Sequence, residues 1–482
     1  MKFQGTLPEV DLIKRAQPYL VGIKGVGMTA LAVLLHQMGF EVHGADTAES
    51  FVTDELLAEL GIEVDDFEAA VWPPATNLII YSGANGGRQH PLVQTATNQK
   101  IAVLSLAQAI GLLSQTKTTI GVCGVGGKST TSALVSWILD QAGHDPSFAV
   151  GVGQIPNFQT SARWRPDSEY LVVEADEYVA DPQADLTPRF LYLRPTHLIC
   201  TALAYDHPDV YQSFADTKQA FASLFALLPE NGILVINGDD PDLCELTSPL
   251  KNQIIKVGES ADNDVVLRYL PPQDGKGRVE LTSIYLADSP LLLESAVPGI
   301  HNLQNSAYAT ALCLALGVSP ITIKSAVASF ASVQRRFEFI GQTDNNVFCF
   351  DDYAHHPREL MAVAETLRTW FPDRQISVAF EPHTFSRTSA LFDEFVSALS
   401  AMPGEIILLP IFASARETEN SAVSSQQLVD ALESRGKSAR LLDNRQNLLE
   451  YIEKLPAKTI FITLGAGSIY KVYDQLNFTQ IS

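Results

Sequence analysis

Residues 118–140 restrict the possible folds of this chain more than any other stretch. A β-prone run, Thr118 to Cys123, feeds the turn Gly124-Val125-Gly126-Gly127, and Lys128 and Ser129 then open a periodic helix that closes near Gly143. Strand, glycine turn, Lys-Ser and helix in that order build a phosphate cradle. Backbone N–H groups of the turn and helix start point at the phosphates, and the helix dipole adds favourable potential. Lys128 can reach the β/γ-phosphates, and the Ser129 hydroxyl can hold Mg²⁺. The match to the usual G-x-x-x-x-G-K-[ST] spacing is imperfect, because Val122 stands at its first position. An ordinary tight turn into a surface helix does not require three glycines followed by Lys-Ser. The expected ligand is a nucleoside triphosphate.

Composition narrows the class. The chain has 482 residues, of which 46% are hydrophobic and 18% charged. That length suggests about three domains with ample core. No apolar run reaches the roughly 18–20 residues of a membrane span, and Met1 to Leu20 does not read as a signal peptide. A net charge of −22, from 33 basic and 55 acidic residues, argues against a nucleic acid polymer as partner. Five scattered cysteines with no CxxC pair suit a reducing cytoplasm and propose no zinc site.

The first 113 residues alternate strands (Tyr19 to Ile23, Glu41 to Ala45, Leu78 to Tyr81) with helices (Met28 to Met38, Thr53 to Leu60), which implies a parallel sheet. Ser114 to Thr118 reads as a short polar hinge. The second α/β unit has strands at Ser147 to Val150, Tyr170 to Val173, His197 to Thr201 and Gly232 to Ile236. Antiparallel strands are expected on either side of Leu270 to Arg278, and helices at His301 to Leu316 and Ile321 to Phe330. A third unit starts near Gln334, with strands at Val347 to Phe350, Gln375 to Phe380, Ile406 to Leu409 and Thr459 to Leu464.

Several strand ends carry chemistry. Gly25-Val-Gly27-Met28-Thr-Ala30 fits G-x-G-x-x-[GA], and Asp46 follows at the spacing of a ribose-binding carboxylate. Alone this suggests NAD, although any diphosphate on a ribose would satisfy it, and a ligand-free β–α turn is an equal alternative. Glu174-Ala-Asp176-Glu177 follows a buried strand beside the phosphate loop, a suitable edge for Mg²⁺. A solvated acidic loop explains Asp176 and Glu177 easily and Glu174 poorly. Asp206-His207 lies at the same edge. Asp351-Asp352-Tyr353-Ala354-His355-His356-Pro357 reads equally as a metal cluster, a substrate clamp or a polar loop. Arg387, in Pro382-His383-Thr-Phe-Ser-Arg387-Thr388, is a candidate partner for a carboxylate or phosphate. Asn302 and Asn305 could read an adenine edge or cap a helix, and Arg335-Arg336 sits where the second and third domains should join.

In this order the segments resemble the Mur ligases of peptidoglycan precursor synthesis, and the alanine-adding members best. The resemblance runs from Gly22-x-x-Gly25-x-Gly27-Met28 through Gly124-x-x-Gly127-Lys128-Ser129-Thr130, Glu174-Ala-Asp-Glu177, Asp206-His207, His301-Asn302-x-x-Asn305 and Arg335-Arg336-Phe337. It continues through Asp352-Tyr353-x-His355-His356-Pro357 and Pro382-His383-x-Phe-x-Arg387-Thr388 to Gly465-Ala-Gly467. It implies three domains: a Rossmann-like UDP-binding domain (1–113), a central P-loop ATPase domain (114–333) and a C-terminal Rossmann-like domain (334–482). It further implies a cytoplasmic, Mg²⁺-dependent enzyme that uses ATP to join UDP-N-acetylmuramate to L-alanine through an acyl phosphate, with a homodimer as an open expectation.

The implied roles go residue by residue. Gly124, Val125, Gly126, Gly127, Lys128, Ser129 and Thr130 would cradle ATP, with Asn302 and Asn305 on adenine, Arg336 on the nucleotide and Asp352 on the ribose or metal shell. Ser129, Glu174 and His207 would hold metal. Gly25, Gly27, Met28 and Asp46 would bind the UDP moiety, and His355, His356, His383 and Arg387 the amino-acid side. Two departures from the family pattern stand out: Val125 in place of a loop Thr, and Ala202 in place of an Asn. Val179 to Arg189 looks like an insertion relative to the alanine ligases and resembles murein peptide ligase, which attaches a recycled tripeptide to the same sugar nucleotide. That enzyme, a degenerate homologue that binds nucleotide without ligating, and an NAD-dependent oxidoreductase are the other readings.

Overall fold

The computed structural model describes residues 5, 7–8, 13, 16–205, 207, 210–273, 276–286, 289–413 and 423–479. Its contacts divide the chain into two compact units: Met1–Pro271 with Arg278–Ala296 and Asn302–Val333, and Pro272–Gly277 with Val297–His301 and Gln334–Ser482.

The first unit holds two α/β sheets and a small hairpin. One sheet is fully parallel, in the order β3-β2-β1-β4-β5, from β1 (Pro18–Val21), β2 (His43–Asp46), β3 (Val64–Asp66), β4 (Leu78–Tyr81) and β5 (Ala102–Ser105). Three of the five strands are those expected from the sequence; β3 is short and mostly exposed (Val-Asp-Asp), and β5 lies in the brief apolar run Ile101 to Leu104. The larger sheet follows the order β17-β16-β15-β14-β13-β12-β6-β9-β7-β8. It is built from β6 (Thr118–Cys123), β7 (Ser147–Ala149), β8 (Ala162–Arg163) and β9 (Tyr170–Glu174) on one side. β10 (Val179–Asp181) and β11 (Asp185–Pro188) leave it and pair antiparallel as a separate hairpin. β12 (His197–Cys200), β13 (Ile233–Asn237), β14 (Gln253–Gly258), β15 (Val265–Gln273), β16 (Lys276–Ser283) and β17 (Leu291–Ser295) complete it.

Polar residues at 114–118 do not form a free hinge. Ser114 donates to the Gly111 carbonyl at 2.6 Å and accepts from the Arg194 N–H at 3.0 Å. Lys117 Nζ donates to the carbonyls of Arg165, Pro166 and Ser168 at 2.8, 3.1 and 2.5 Å. These side chains satisfy carbonyls at loop ends, which ties the segment down. One apolar cluster runs from Leu20, Leu31 and Leu112 to Leu171, Leu198 and Phe221, so both sheets of the unit share a core.

The second unit carries a mixed sheet in the order β22-β21-β20-β23-β19-β18-β24. Its strands are β18 (Glu338–Thr343), β19 (Phe348–Asp352), β20 (Ile376–Phe380), β21 (Glu405–Leu408), β22 (Ala439–Leu441), β23 (Ile460–Leu464) and β24 (Phe478–Thr479). β19 to β22 and β23 are parallel, and β18 is antiparallel to both β19 and β24. Alternation sorts the side chains: Ile460, Ile462 and Leu464 enter one core, and Phe461 the core on the opposite face. Both faces are covered, so such strands read as continuous apolar runs. Among the described residues no helix is long and apolar enough to cross a membrane.

Candidate active site

The phosphate loop leaves the end of β6 with Gly124, Gly126 and Gly127 at φ of +117°, +89° and +78°, which only glycine adopts without strain. The Thr201 hydroxyl, at the end of β12, donates to the Gly126 carbonyl at 2.6 Å and the Cys123 carbonyl at 3.2 Å. The Val125 N–H donates to the Ala202 carbonyl at 3.0 Å. The two positions that depart from the family pattern are therefore joined backbone to backbone, and the loop keeps its shape without a Thr or an Asn side chain there. Gly127 starts the helix Lys128–Gln141, in which Ser129 and Thr130 are buried. A Cβ on Gly127 would lie 2.5 Å from Asn305 Oδ1. Asn305 Nδ2 in turn faces Asn302 Oδ1 at 3.4 Å. Both asparagines are buried, and Asn305 abuts the loop where it enters the helix.

Around Lys128 the acidic segment is not the solvated loop that would explain Asp176 and Glu177 trivially. Glu177 is 1% exposed and receives Lys128 Nζ on both oxygens, at 2.9 and 2.8 Å. Burial alone would lower the proton affinity of Lys128, but Glu177, Asp176 and Glu174 more than offset it and keep the ammonium charged. Glu174 ends β9, accepts the Gly151 N–H at 2.8 Å and hydrogen-bonds Ser129, yet burial raises its pKa. Asp176 is half-buried, and desolvation acts against its charge, but Arg189 at 2.8 Å and Lys128 pull its pKa down. His207 Nε2 lies 3.9 Å from Glu177, and the Tyr178 ring sits 4.8 Å from the His207 ring and 5.5 Å from the Arg189 guanidinium. Asp206 lies outside the described residues.

Glu174 and Asp176 also line a cavity. Its other walls are Val26, Gly27 and Ala30 at the start of the helix Val26–Gln37, with Leu106, Ala107, Arg189 and Phe190. Gly25 caps that helix without a side-chain hydrogen bond, so its first N–H groups are available to an anion. Two expected binding residues play other parts. The Met28 side chain is 1% exposed and packs in the core, which leaves its backbone N–H at the helix start. Asp46 is committed to the turn itself, accepting the N–H groups of Lys24 and Thr47 at 2.7 and 2.8 Å.

Hard oxygen donors beside a triphosphate cradle suit Mg²⁺, and the Ser129 hydroxyl and Glu174 carboxylate already meet. Among the described residues no group of three or more His, Cys, Asp or Glu converges on one point.

The second unit gathers its own cluster at the ends of β19, β20 and β23. Asp352 accepts the N–H groups of Phe337 and Ala354, both at 2.7 Å, and burial raises its pKa to about 6. Glu359 accepts the N–H groups of His355 and His356 at 3.0 and 3.2 Å and faces Arg336 at 3.5 Å. Burial works against its charge, but His355, Arg336 and those N–H groups pull its pKa down to about 2. Burial lowers the pKa of His355, assisted by the nearby Arg387, and the ring contacts the Tyr353 carbonyl at 2.9 Å. His301 drops to about 4 through burial and Arg336. His356 caps the helix Pro357–Trp370, and His383 stacks on Phe412 with ring centres 5.7 Å apart.

Sequence reasoning missed Glu177, Glu359 and Arg335 as site residues. The buried Arg335 bonds Asp351 at 2.8 Å and the Gly465 carbonyl at 2.6 Å, locking the glycine turn after β23. The only sequence signal for Glu359 was its place three residues after the capping His356.

Three family models match: "Mur ligase family, catalytic domain" over residues 18–118, "Mur ligase middle domain" over 122–313 and "Mur ligase, glutamate ligase domain" over 335–467. The chain is 34% identical over 462 residues to the UDP-N-acetylmuramate–L-alanine ligase of Desulfitobacterium hafniense, covering 95% of this chain and 98% of that protein. It is also 34% identical over 468 residues to the enzyme of that name from Acidithiobacillus ferrooxidans, covering 95% and 97%. In fold it resembles the UDP-N-acetylmuramate-alanine ligase of Thermotoga maritima (TM-score 0.79, 24% identity, 96% and 98% covered). It also resembles a murein peptide ligase of Psychrobacter arcticus (TM-score 0.69, 21% identity, 97% and 100% covered).

Proposed function

Because this chain belongs to the Mur ligase family, we propose that it is a UDP-N-acetylmuramate–L-alanine ligase, coupling ATP cleavage to amide formation in peptidoglycan precursor synthesis. The observation that carries the proposal is the double role of Glu174. Its carboxylate bonds Ser129 in the phosphate loop and also lines the cavity that opens on the Gly27 helix start. A triphosphate and a second phosphorylated substrate are thereby brought to one carboxylate. Three domains, 1–113, 114–333 and 334–482, belong to this reading, which is supported by the family matches over 18–118, 122–313 and 335–467.

A carboxylate is a poor electrophile. Its oxygen first attacks the γ-phosphate, ADP leaves, and the amine of alanine then displaces phosphate from the acyl phosphate. Two anions must approach, so the first requirement is positive charge. Lys128 supplies it to the β/γ-phosphates after exchanging Glu177 for phosphate oxygens. Ser129, Glu174 and His207 are the residues that would hold Mg²⁺, whose charge neutralises the phosphate oxygens. The Gly25–Gly27 helix start binds the diphosphate of the sugar nucleotide. Arg336 and Arg387 take anionic groups, while His355, His356 and His383 surround the amino acid. The reading carries with it a cytoplasmic enzyme, where ATP and nucleotide sugars are made.

The test is ADP release with UDP-N-acetylmuramate, ATP and Mg²⁺, adding L-alanine, glycine, L-serine or the L-Ala–D-Glu–diaminopimelate tripeptide separately. L-Alanine is expected to give the highest kcat/KM. Turnover with tripeptide alone would establish the recycling reading instead, and silence with every acceptor the degenerate one. The recycling reading draws on the Val179–Arg189 insertion, a segment that packs beside the proposed sugar-nucleotide cavity.

A further inference from the structure

The hairpin β10–β11 takes no part in the chemistry above, yet it is built into the first sheet's loops with unusual closeness. Asp181 is fully buried and accepts the Arg88 N–H at 2.7 Å and the Gln183 N–H at 2.9 Å. It also hydrogen-bonds the Tyr81 hydroxyl. The loop after β4 makes room for it with glycine: a Cβ on Gly87 would strike the Asp181 carboxylate, and one on Gly83 the Ala180 carbonyl. Just beyond the hairpin, Tyr192 donates its hydroxyl to Asp185. Its carbonyl stands 2.5 Å from where a Cβ on Gly111 would be.

The base of the same hairpin forms a wall of the cavity. The Arg189 N–H donates to the Tyr178 carbonyl at 2.8 Å, its Nε to Val179 at 3.2 Å and its Nη1 to Asp176 at 2.8 Å. Arg189, Asp176 and Phe190 face Gly27 across that cavity. One short hairpin thus joins the cavity wall to the loop at the carboxyl edge of β4. β4 pairs with β1, whose glycine turn forms the facing wall, and this edge of an open parallel sheet is where ligands bind.

We infer that Asp181 is a positioning residue, a clasp through which the hairpin holds the sugar-nucleotide cavity in its binding shape. The inference rests on the assignment of that cavity to UDP-N-acetylmuramate. Removing the carboxylate leaves the Arg88 and Gln183 N–H groups without their acceptor and unties the 82–90 loop from the hairpin. A cavity that spends only part of its time in the binding shape has a proportionately weaker apparent affinity. ATP and L-alanine do not contact this loop in the proposed scheme and are unaffected.

The experiment is calorimetric titration of the full chain with UDP-N-acetylmuramate alone, for wild type, Asp181→Ala and Asp181→Asn. Alongside it run titrations with a Mg²⁺ complex of non-hydrolysable ATP and the KM for L-alanine. Asp181→Ala and Asp181→Asn are both expected to weaken the sugar-nucleotide Kd about fivefold or more, because the amide keeps only one of the two acceptor oxygens, with the other two constants within about twofold of wild type. Asp181→Asn decides the matter should Asp181→Ala not fold. Sugar-nucleotide binding unaffected by either substitution overturns the clasp alone, as does parallel weakening of all three ligands, which would mark Asp181 as a general stability contact. No binding by the wild-type chain overturns the substrate assignment and the clasp with it.

Discussion

Lys128 and Glu177 meet through two hydrogen bonds in a site proposed to bind triphosphate, so the ammonium cannot serve both partners fully. Glu177→Gln should remove the carboxylate paired with Lys128, leaving the charges of Asp176 and Glu174 nearby, and lower the melting temperature of the nucleotide-free chain, at a cost on the order of 1–3 kcal/mol. A non-hydrolysable ATP analogue with Mg²⁺ should then raise the melting temperature more in the variant than in wild type. Equal shifts in a thermal melt would mean that Glu177 keeps Lys128 when nucleotide is bound. Asp352 supports a pH prediction. Its pKa is raised by burial from 3.8 to about 6, so folding favours the protonated acid. That stabilisation is fully present below pH 3.8 and is lost as pH rises through about 6. Asp352→Asn should abolish this decline, on the order of 2–3 kcal/mol, in denaturation curves collected across that window. Glu359 runs oppositely, since its lowered pKa of about 2 gives stability that persists until the solution becomes strongly acidic.

At the level of elements, each cluster comes from one arrangement: a buried parallel strand that ends in a turn whose backbone groups point outward. In the phosphate loop, glycine is required for two different reasons. A Cβ on Gly124 would lie 2.5 Å from the Thr201 hydroxyl and 2.8 Å from Ala202 backbone atoms, whereas one on Gly126 would meet nothing within 4 Å. Gly126→Ala should therefore carry only the left-handed backbone penalty, roughly 1–2 kcal/mol. Gly124→Ala adds a collision with the strand that shapes the loop. Nucleotide titrations should show a markedly larger loss of ATP affinity for Gly124→Ala; similar losses would indicate that the loop adjusts freely around Thr201. The same distinction explains Ser114 to Thr118. A run of polar residues looks like a hinge until its partners are known, and Lys117 has three carbonyls to hold.

For the whole molecule the net charge of −22 sets a long-range field that repels ATP and sugar nucleotide, against short-range attraction from the few cations in the site. Salt screens the distant repulsion first, because the Debye length shrinks from about 30 Å at 0.01 M to about 8 Å at 0.15 M. kcat/KM for UDP-N-acetylmuramate should accordingly rise over that range at saturating Mg²⁺. A fall would show that the local field of the site governs capture. By itself, the sequence determined the α/β class, the order of the three matched domains, and the turns that carry Gly25–Gly27, Lys128-Ser129, Glu174 and Asp352, because strand–turn–helix patterns and glycine requirements are local. Only the tertiary structure decided which neighbours those residues have. Glu177 turned out to be buried against Lys128, Met28 to face the core, Asp46 to serve its own turn and the Val179–Pro188 hairpin to clasp a loop some ninety positions earlier (Asp181 to Arg88). The burial of a charge and the partner that balances it depend on contacts between distant segments, and no periodicity or spacing along the chain records them.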